Sequence, residues 1–516
     1  MLSSIIKGIW KKSLQPVLAI PWNFEGGLGG FLSRRATQVA LLLAILVGVL
    51  VGVVAVAVVG LVLFLAWIFI SAVTLLLTVV VAAWLKVFKP EPVRPFQTAD
   101  DSLPQLIPPA EFDPVRTFGP DNPDRVFDGV FEGGGIKAIA QVGAIHMVES
   151  LGMRPERLVG TSGGAIVAAG IAVGGRAEDL WRVMARADLT SLLDARWLPN
   201  VRSWRHPLYG ITPLILPLFK KFGLMRGDEF INFMRQGIAS IHGPFFGNEH
   251  VTFGDIDREW RAGLDARNLA QPAPGVNRLS VIATDATRRQ LIVLPCDIGD
   301  YCRNPGGLCS DCESGTDPCL TPETLEVAFG VRMSMGIPFL FEPVRLRFKV
   351  AKPGGGCRDG GECLIVDGGV ASNFPMWLLN RAGGLPPRYP TFGFLLDEGI
   401  DMEGNKRIPD HKQLKSLGSL VVAIVFSGMG MVDRIPSDHD RRRTICLPTL
   451  AVGTADFGLS LERQVALHDA GATSAARFFT GKDAFEWDRY LKDFRGGQSR
   501  PLRPANAEPA VAGPAA

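Results

Sequence analysis

The sequence lacks a marked excess of charge of either sign. Its 54 lysines and arginines nearly balance its 51 aspartates and glutamates, which leaves a formal net charge of +3. A protein that binds nucleic acid mainly through its overall charge needs a larger positive excess, so the balance gives no indication of a nucleic-acid partner. Histidine and cysteine are also scarce, at seven and eight residues, so each can be considered individually.

Charge is entirely missing from one long segment, Val39 to Leu85. A single helix of this length would extend about 70 Å, whereas the hydrocarbon core of a bilayer is about 30 Å thick. The run therefore predicts a transmembrane helical hairpin, with a turn near Gly60. Basic residues flank both ends, which predicts that both ends, and the domain that follows, lie on the cytoplasmic side.

Composition shifts divide the rest of the chain. Residues 1–37 have the pattern of a short basic amphipathic helix, although a frayed terminus is an equal alternative. Proline-rich composition predicts a linker after the membrane segment, and Pro, Ala and Gly predict a disordered C-terminal tail. The predicted units are 1–37, a membrane segment at 38–87, a linker at 88–124, a domain at 125–495 with a Cys-rich insertion at 296–363, and a tail at 496–516.

The domain at 125–495 alternates short apolar runs with helical patterns. Buried strands are predicted at Arg125–Phe131, Leu279–Ala283, Leu364–Val366 and Leu420–Phe426. Such alternation is typical of an α/β fold, in which helices cover both faces of a mainly parallel sheet.

The first motif that carries chemistry is Gly160-Thr161-Ser162-Gly163-Gly164, a G-x-S-x-G pattern between a strand and an apolar helix. In a nucleophile elbow the serine occupies a strained turn, and Gly160 and Gly164 let the backbone pack closely. The pattern therefore makes Ser162 a candidate nucleophile. Alone it is weak, because glycine-rich turns between a strand and a helix are common.

A second motif, Gly133-Gly134-Gly135, also lies between a strand and a helix. Consecutive glycines can direct several backbone N–H groups toward one point, which is the requirement for an oxyanion hole. A phosphate-binding loop is the competing interpretation, but the surrounding residues lack the G-x-x-x-x-G-K-[ST] pattern.

The third motif, Asp367-Gly368-Gly369, follows the strand at Leu364–Val366. A carboxylate at a strand end could accept the Ser162 proton directly, without an intervening imidazole. In isolation the tripeptide would more often be an ordinary turn.

Together the three motifs resemble the patatin-like phospholipase family, with its GGG-x-[RK]-G loop, G-x-S-x-G serine and D-G-[GA] aspartate. The resemblance implies a three-layer α/β/α sandwich and a lipid acyl hydrolase with a Ser–Asp dyad, which needs no cofactor for catalysis and acts on membrane lipids. It makes Ser162 the nucleophile and Asp367 the base, and it assigns the oxyanion donors to Gly133, Gly134 and Gly135.

Further stretches resemble the family, and one position departs from it. Such stretches contain Ser334 with Pro338 and Asn373 with Pro375. Ala138 stands where the family usually has glycine, directly after the oxyanion loop, which puts the rate in doubt but not the family.

Three alternatives stay open on sequence alone. A conventional triad could use His411, His439 or His468, all of which follow Asp367 in the chain. The same dyad could transfer an acyl group to an acceptor other than water. A membrane scaffold with a retired hydrolase domain is the non-enzymatic alternative, although it would predict erosion of the dyad. Nothing in the sequence addresses the oligomeric state.

The cysteines form a compact group whose role is separate from catalysis. Cys302, Cys309, Cys312 and Cys319 could hold a structural zinc ion. Disulfides are the competing interpretation, and an oxidising compartment would be required for them. The predicted cytoplasmic orientation favours zinc or reduced thiols.

Overall fold

The computed structural model of the chain divides into two compact units, Met1–Val81 and Ala82–Ala516. The structure describes residues 27–87, 103–186, 221–267, 269–302, 320–351, 357–380, 387, 389–400, 438–454, 456 and 458–496. The predicted strand at Leu420–Phe426 and most of the predicted tail lie outside these residues.

The N-terminal unit is dominated by one long helix, α1 (Gly27–Val87). Its segment Val39–Phe69 has a mean hydropathy of 3.2, so by length and composition it could cross a membrane. The structure differs here from the predicted helical hairpin, because α1 continues through Gly60 without a turn. The physical reason is that the run contains no proline, and a lone glycine costs a helix only about 1 kcal/mol.

Among the residues that the structure describes, the second unit is built on a nine-stranded mixed sheet and a separate pair of short strands. The strands are β1 (Val126–Phe131), β2 (Arg154–Thr161), β3 (Gly223–Met225), β4 (Leu279–Asp285), β5 (Gln290–Leu294), β6 (Tyr301–Cys302), β7 (Phe339–Phe341), β8 (Val344–Ala351), β9 (Cys357–Asp367), β10 (Thr391–Asp397) and β11 (Thr444–Pro448). Their order is β11-β10-β1-β2-β4-β9-β8-β6, with β5 also paired to β4 and with β3 paired to β7. The strands from β11 to β4 are mutually parallel, which confirms the prediction of a mainly parallel sheet.

Helices connect and cover these strands. They are α2 (Pro114–Phe118), α3 (Ile139–Ser150), α4 (Gly163–Ala172), α5 (Ala177–Arg186), α6 (Asp228–Ser240), α7 (Phe253–Ala266), α8 (Val327–Ser334), α9 (Asp438–Arg442), α10 (Leu461–Thr480) and α11 (Trp487–Gly496).

Both faces of the central strands are buried. Alternate residues of β1 enter two different hydrophobic clusters, since Phe131 belongs to the larger one and Val130 to the smaller. The larger cluster includes the apolar residues of α3, α4 and α10, whereas the smaller contains Phe374 and Met376. This alternation is expected for a sheet covered on both sides.

Strand β4 aligns the ends of two other strands. Its residues Leu279 to Ile282 pair with β2, and its residues Ala283 to Asp285 pair with β9. Strand β5 pairs with β4 over both stretches and therefore occupies the opposite edge. Because each edge accepts one partner per residue, β2 and β9 must share the remaining edge of β4.

The two strands meet end to end along that edge. Strand β2 runs parallel to β4 and ends with Thr161 beside Ile282, whereas β9 runs antiparallel and ends with Asp367 beside Ala283. The next residue after β2 thus faces the last residue of β9. This register brings Ser162 and Asp367 together from distant parts of the chain.

Two predicted boundaries differ from the structure. The predicted linker 88–124 includes α2, and Phe118 on α2 packs in the core against Phe392. The predicted insertion 296–363 supplies α8, β8 and part of β9 to the core and main sheet, so it is an integral part of the domain. In both cases large apolar side chains are buried in stretches whose proline, glycine and cysteine content suggested otherwise.

Helices α3 and α10 pack with their backbones in contact. A Cβ atom added at Gly143 would lie 1.9 Å from the carbonyl oxygen of His468, and one at Gly471 would lie 1.8 Å from that of Ala140. Only glycine permits this approach at either position.

Replacing Gly143 with alanine is therefore expected to destabilise the domain by about 2 kcal/mol or more, because the two helix backbones must separate. The matched control is Gly263→Ala in α7, where an added Cβ meets nothing within 4 Å. That change should be neutral or stabilising by about 0.5–1 kcal/mol. Thermal unfolding midpoints of the two variants measure the difference, and equal midpoints would contradict the packing argument.

Candidate active site

Ser162 lies in a strained turn between β2 and α4. Its φ and ψ are 50° and −123°, a backbone conformation that non-glycine residues rarely adopt. A Cβ atom on Gly160 would lie 2.5 Å from the carbonyl oxygen of Gly164, and a Cβ atom on Gly164 would lie 2.6 Å from that of Glu132. The two glycines of the motif are thus required by close backbone packing around the serine.

The Ser162 hydroxyl is hydrogen-bonded directly to a carboxylate. Its Oγ donates to Oδ2 of Asp367 over 2.9 Å. The other carboxylate oxygen accepts the backbone N–H of Gly369 at 2.8 Å, and the carbonyl oxygen of Asp367 accepts from the Thr284 hydroxyl at 2.9 Å. Hydrogen bonds thus hold both the side chain and the backbone of Asp367 in place. Ser162 and Asp367 are both buried.

Burial has a large effect on the acidity of Asp367. Desolvation raises its pKa from 3.8 to about 7, although the hydrogen bonds from Gly369 and Ser162 and the charge of Arg332 act in the opposite direction. A carboxyl group with this pKa can exchange a proton with a hydroxyl neighbour near neutral pH.

The charge of Arg332 acts on this carboxylate, and the motif analysis did not identify this residue. Its buried guanidinium donates through Nη2 to the carbonyl oxygens of Arg226 and Glu342, at 2.9 and 2.7 Å. Its Cζ lies 5.0 Å from the centre of the Phe341 ring. The charge of Arg332 lowers the pKa of Asp367 and so partly compensates for burial.

The glycine loop packs against Ser162. A Cβ atom on Gly133 would lie 3.0 Å from the Ser162 Cβ. The N–H of Gly133 already donates to the carbonyl oxygen of Asn373 at 3.1 Å, and the Asn373 amide donates back to Gly133 O and to the Glu132 carboxylate. The Gly133 N–H is therefore not available to a substrate. Of the three predicted oxyanion donors, Gly134 and Gly135 remain.

The next two amides of the loop differ from that of Gly133. Among the residues that the structure describes, no hydrogen-bond acceptor is found for the N–H of Gly134 or of Gly135. Gly135 has φ of 57°, and its nitrogen would lie 2.7 Å from a Cβ atom on Gly163, the residue after Ser162. The N–H of Ile136 donates to Thr454 O at 3.3 Å, which holds the far side of the loop.

Ala138, where the family usually has glycine, fits its position without strain. Its φ and ψ are −56° and −15°, which is ordinary helical geometry for alanine. The side chain is buried beside the start of α3. The loop therefore does not depend on glycine at this position.

Three consecutive residues at the C-terminal end of α8, Ser334 to Gly336, together contact both members of the pair. Ser334 Oγ accepts the backbone N–H of Ser162 at 2.8 Å, and Met335 Sδ lies 3.6 Å from Ser162 Oγ. The carbonyl oxygen of Gly336 accepts the N–H of Asp367 at 2.9 Å. The resemblance singled out Ser334 without giving it a role, and only the tertiary structure reveals these contacts.

The histidines considered for a triad are not part of this arrangement where the structure describes them. His468 is buried, and its ring nitrogens lie 3.2 Å from His146 Nδ1 and 3.1 Å from Asp469 Oδ1. Its hydrogen bonds therefore run to residues other than Ser162 and Asp367. His411 and the side chain of His439 lie outside the described residues.

The predicted zinc ligands are only partly described. Cys302 is buried in β6, with its thiol 3.7 Å from Arg347 O, whereas Cys309, Cys312 and Cys319 lie outside the described residues. Within the described part of the chain, no group of three His, Cys, Asp or Glu side chains could hold a metal ion. The structural zinc ion stays a prediction.

Removing the buried carboxyl group of Asp367 is expected to stabilise the folded chain by an amount that depends on pH. The pKa of Asp367 is higher in the folded chain, at about 7, than its ordinary value of 3.8. The folded state therefore loses stability from this group as pH rises from about 4 to about 7, by up to about 4 kcal/mol. Asp367→Asn should raise the unfolding midpoint at pH 8 and have little effect near pH 4.

The control for that measurement is Asp121→Asn, which changes an exposed aspartate of the same domain. Its midpoint should follow that of the unmodified chain at both pH values. A gain for Asp367→Asn that is the same at pH 4 and pH 8 would exclude the buried charge as its cause.

Comparison with known proteins agrees with this geometry. Residues 129–379 match the family model described as patatin-like phospholipase. An uncharacterized protein of Bacillus subtilis (strain 168), YqhO, is 29% identical over 349 residues, which cover 67% of this chain and 94% of that protein.

Two solved bacterial proteins show a weaker likeness. VipD of Legionella pneumophila gives a TM-score of 0.36 at 18% identity, over 69% of this chain and 67% of VipD. ExoU of Pseudomonas aeruginosa gives 0.32 at 17% identity, over 70% of this chain and only 54% of ExoU. Scores this low carry no weight for function. The family match does, and it identifies residues 129–379 as a patatin-like phospholipase domain, a domain that hydrolyses lipid esters.

Proposed function

We propose that the chain cleaves fatty-acyl esters of membrane lipids with Ser162 as nucleophile and Asp367 as general base. The observation that carries this proposal is the direct 2.9 Å hydrogen bond from Ser162 Oγ to Asp367 Oδ2. A nucleophile and its base must lie within such reach for proton transfer. No imidazole is needed between them.

In the first half of the reaction, Ser162 Oγ attacks the ester carbonyl carbon while its proton passes to Asp367. The carbonyl oxygen becomes an oxyanion, which the N–H groups of Gly134 and Gly135 stabilise. Collapse of this intermediate breaks the bond to the alcohol oxygen, and Asp367 returns the proton to that oxygen. The products are the released alcohol and an acyl group on Ser162.

In the second half, Asp367 takes a proton from water, and the resulting hydroxide attacks the acyl carbonyl carbon. The same amides stabilise the second oxyanion. When the acyl–oxygen bond breaks, the proton returns from Asp367 to Ser162 Oγ and the fatty acid leaves. No cofactor enters either half.

We also propose that α1 anchors the enzyme to the membrane that holds its substrate. The apolar segment Val39–Phe69 supports anchoring by its length and hydropathy. Because α1 is a single helix and basic residues flank both ends of the uncharged run, this charge pattern favours neither side of the membrane, and the cytoplasmic orientation stays a prediction. Anchoring suits a substrate that remains in a bilayer, because the enzyme then needs no separate encounter with the surface.

Labelling with a fluorophosphonate ester tests the nucleophile. Ser162→Ala should abolish labelling, and Asp367→Asn should slow it at least about a hundredfold, because the base that activates the hydroxyl is lost. The matched control is Ser474→Ala, since Ser474 is also buried and its hydroxyl has no hydrogen-bond partner among the described residues. The control should label like the unmodified chain, and labelling that persists in Ser162→Ala would contradict the proposal.

The pH dependence of hydrolysis tests the base. Asp367 must be ionised to accept the proton, and its pKa is about 7. Values of kcat/KM should therefore fall about tenfold per pH unit below about pH 7 and level off above it. If kcat/KM does not change between pH 5 and pH 8, the general base has an ordinary carboxylate pKa or no base acts in the rate-limiting step. Either result would contradict the proposed role of Asp367.

A further inference from the structure

We propose that Ser334 is a positioning residue for the nucleophile. Its hydroxyl accepts the backbone N–H of Ser162 at 2.8 Å and so holds the serine in the strained positive-φ conformation that directs Oγ to Asp367. This inference rests on the proposed role of Ser162. It adds a residue that touches neither the substrate nor the transferred proton.

The need for such a residue follows from the sheet. Strand β2 is paired to β4 only as far as Thr161, opposite Ile282, and the next residue of β4 pairs with Asp367 instead. The N–H of Ser162 consequently lies beyond the last ladder position of its own strand. A buried backbone N–H without an acceptor is strongly unfavourable. The Ser334 hydroxyl supplies the acceptor that a paired strand would otherwise provide.

Strain at Ser162 makes this acceptor more important. A non-glycine residue at φ of 50° persists only where its surroundings impose that conformation. On the C-terminal side, the Ser162 carbonyl accepts the N–H of Ala165 at 2.9 Å, which begins α4. On the N-terminal side, the hydrogen bond to Ser334 is the corresponding constraint, so the two bonds fix the peptide groups before and after the serine.

The Ser334 hydroxyl is itself held rigidly. It stands at the last position of α8, in which every residue is buried. Arg332, two residues earlier, is tied to the carbonyl oxygens of Arg226 and Glu342. Ser334 is therefore held in place by its helix, and it can act as a fixed reference point for Ser162.

The residues that follow extend the same constraint to the base. Met335 Sδ lies 3.6 Å from Ser162 Oγ, and Gly336 O accepts the N–H of Asp367 at 2.9 Å. One short segment thus holds the backbone of both members of the pair. Loss of the Ser334 contact should disturb the 2.9 Å distance between Ser162 and Asp367 more than it disturbs substrate binding.

The test compares Ser334→Ala, Ser334→Thr and Ser334→Cys in the full-length chain, with rates normalised to active sites titrated by fluorophosphonate. Ser334→Ala should lower kcat roughly ten- to a hundredfold with KM unchanged, because a misplaced reacting atom slows the chemical step. Ser334→Thr keeps the hydroxyl and should recover kcat to within about threefold. Ser334→Cys, with a weak acceptor of similar size, should lie between them.

Two further variants separate the possible results. Ser474→Ala removes another buried hydroxyl, one without a described hydrogen-bond partner, and should leave kcat per titrated site unchanged. A purely structural role for Ser334 would lower the unfolding midpoint and the number of titratable sites but leave kcat per site equal to that of this control, and that result would overturn the inference.

Ser162→Ala reports on the proposed function itself. If Ser162→Ala still hydrolyses substrate, the nucleophile assignment fails and the Ser334 inference falls with it. If Ser162→Ala is inactive while Ser334→Ala equals the Ser474→Ala control, only the role of Ser334 is wrong. If Ser334→Ala yields no folded protein, Ser334→Thr and Ser334→Cys decide the question. A lower kcat per titrated site for the cysteine variant would support the inference. Equal values for the two variants would overturn it.

Discussion

The shared edge of β4 is the constraint on which the site depends. Strand β2 arrives on that edge in parallel and β9 in antiparallel, and the two stop at adjacent positions, with Thr161 beside Ile282 and Asp367 beside Ala283. The hydrogen-bond ladder of a sheet fixes which residues lie opposite one another. The 2.9 Å contact of Ser162 with Asp367 is therefore a consequence of strand register, and loops contribute only the turns that follow.

Two unfavourable features accompany this arrangement, and each has a visible compensation. Ser162 adopts a strained backbone conformation with positive φ, and hydrogen bonds to Ser334 and Ala165 hold it there. Asp367 is fully buried, which raises its pKa, and the Gly369 amide together with the charge of Arg332 opposes that rise. Strain and desolvation of this kind are typical of functional sites, where the surrounding core supplies the stability that the site itself lacks.

Much of the site could be predicted from sequence, but the larger architecture only in part. The three glycine-bearing motifs have recognisable local chemistry, and the strands at Arg125–Phe131 and Leu279–Ala283 follow from short apolar runs. The hairpin predicted in the apolar run was wrong because uniform hydrophobicity contains no signal for a turn, and α1 continues through Gly60. The linker prediction extended too far because prolines near α2 hid the apolar contact that Phe118 makes with the core.

The sequence by itself determined which groups are candidates for the reaction, because a serine in a glycine turn, a strand-end aspartate and a glycine loop are local patterns that can be recognised without knowledge of their neighbours. Only the tertiary structure decided which groups act on them. Three interactions illustrate this: the Gly133 N–H donates to Asn373, Ser334 accepts from Ser162, and the charge of Arg332 acts on Asp367. Each is between residues that are distant in the chain. Such contacts depend on how strands and helices pack, and packing leaves no fixed spacing in the sequence from which it could be read.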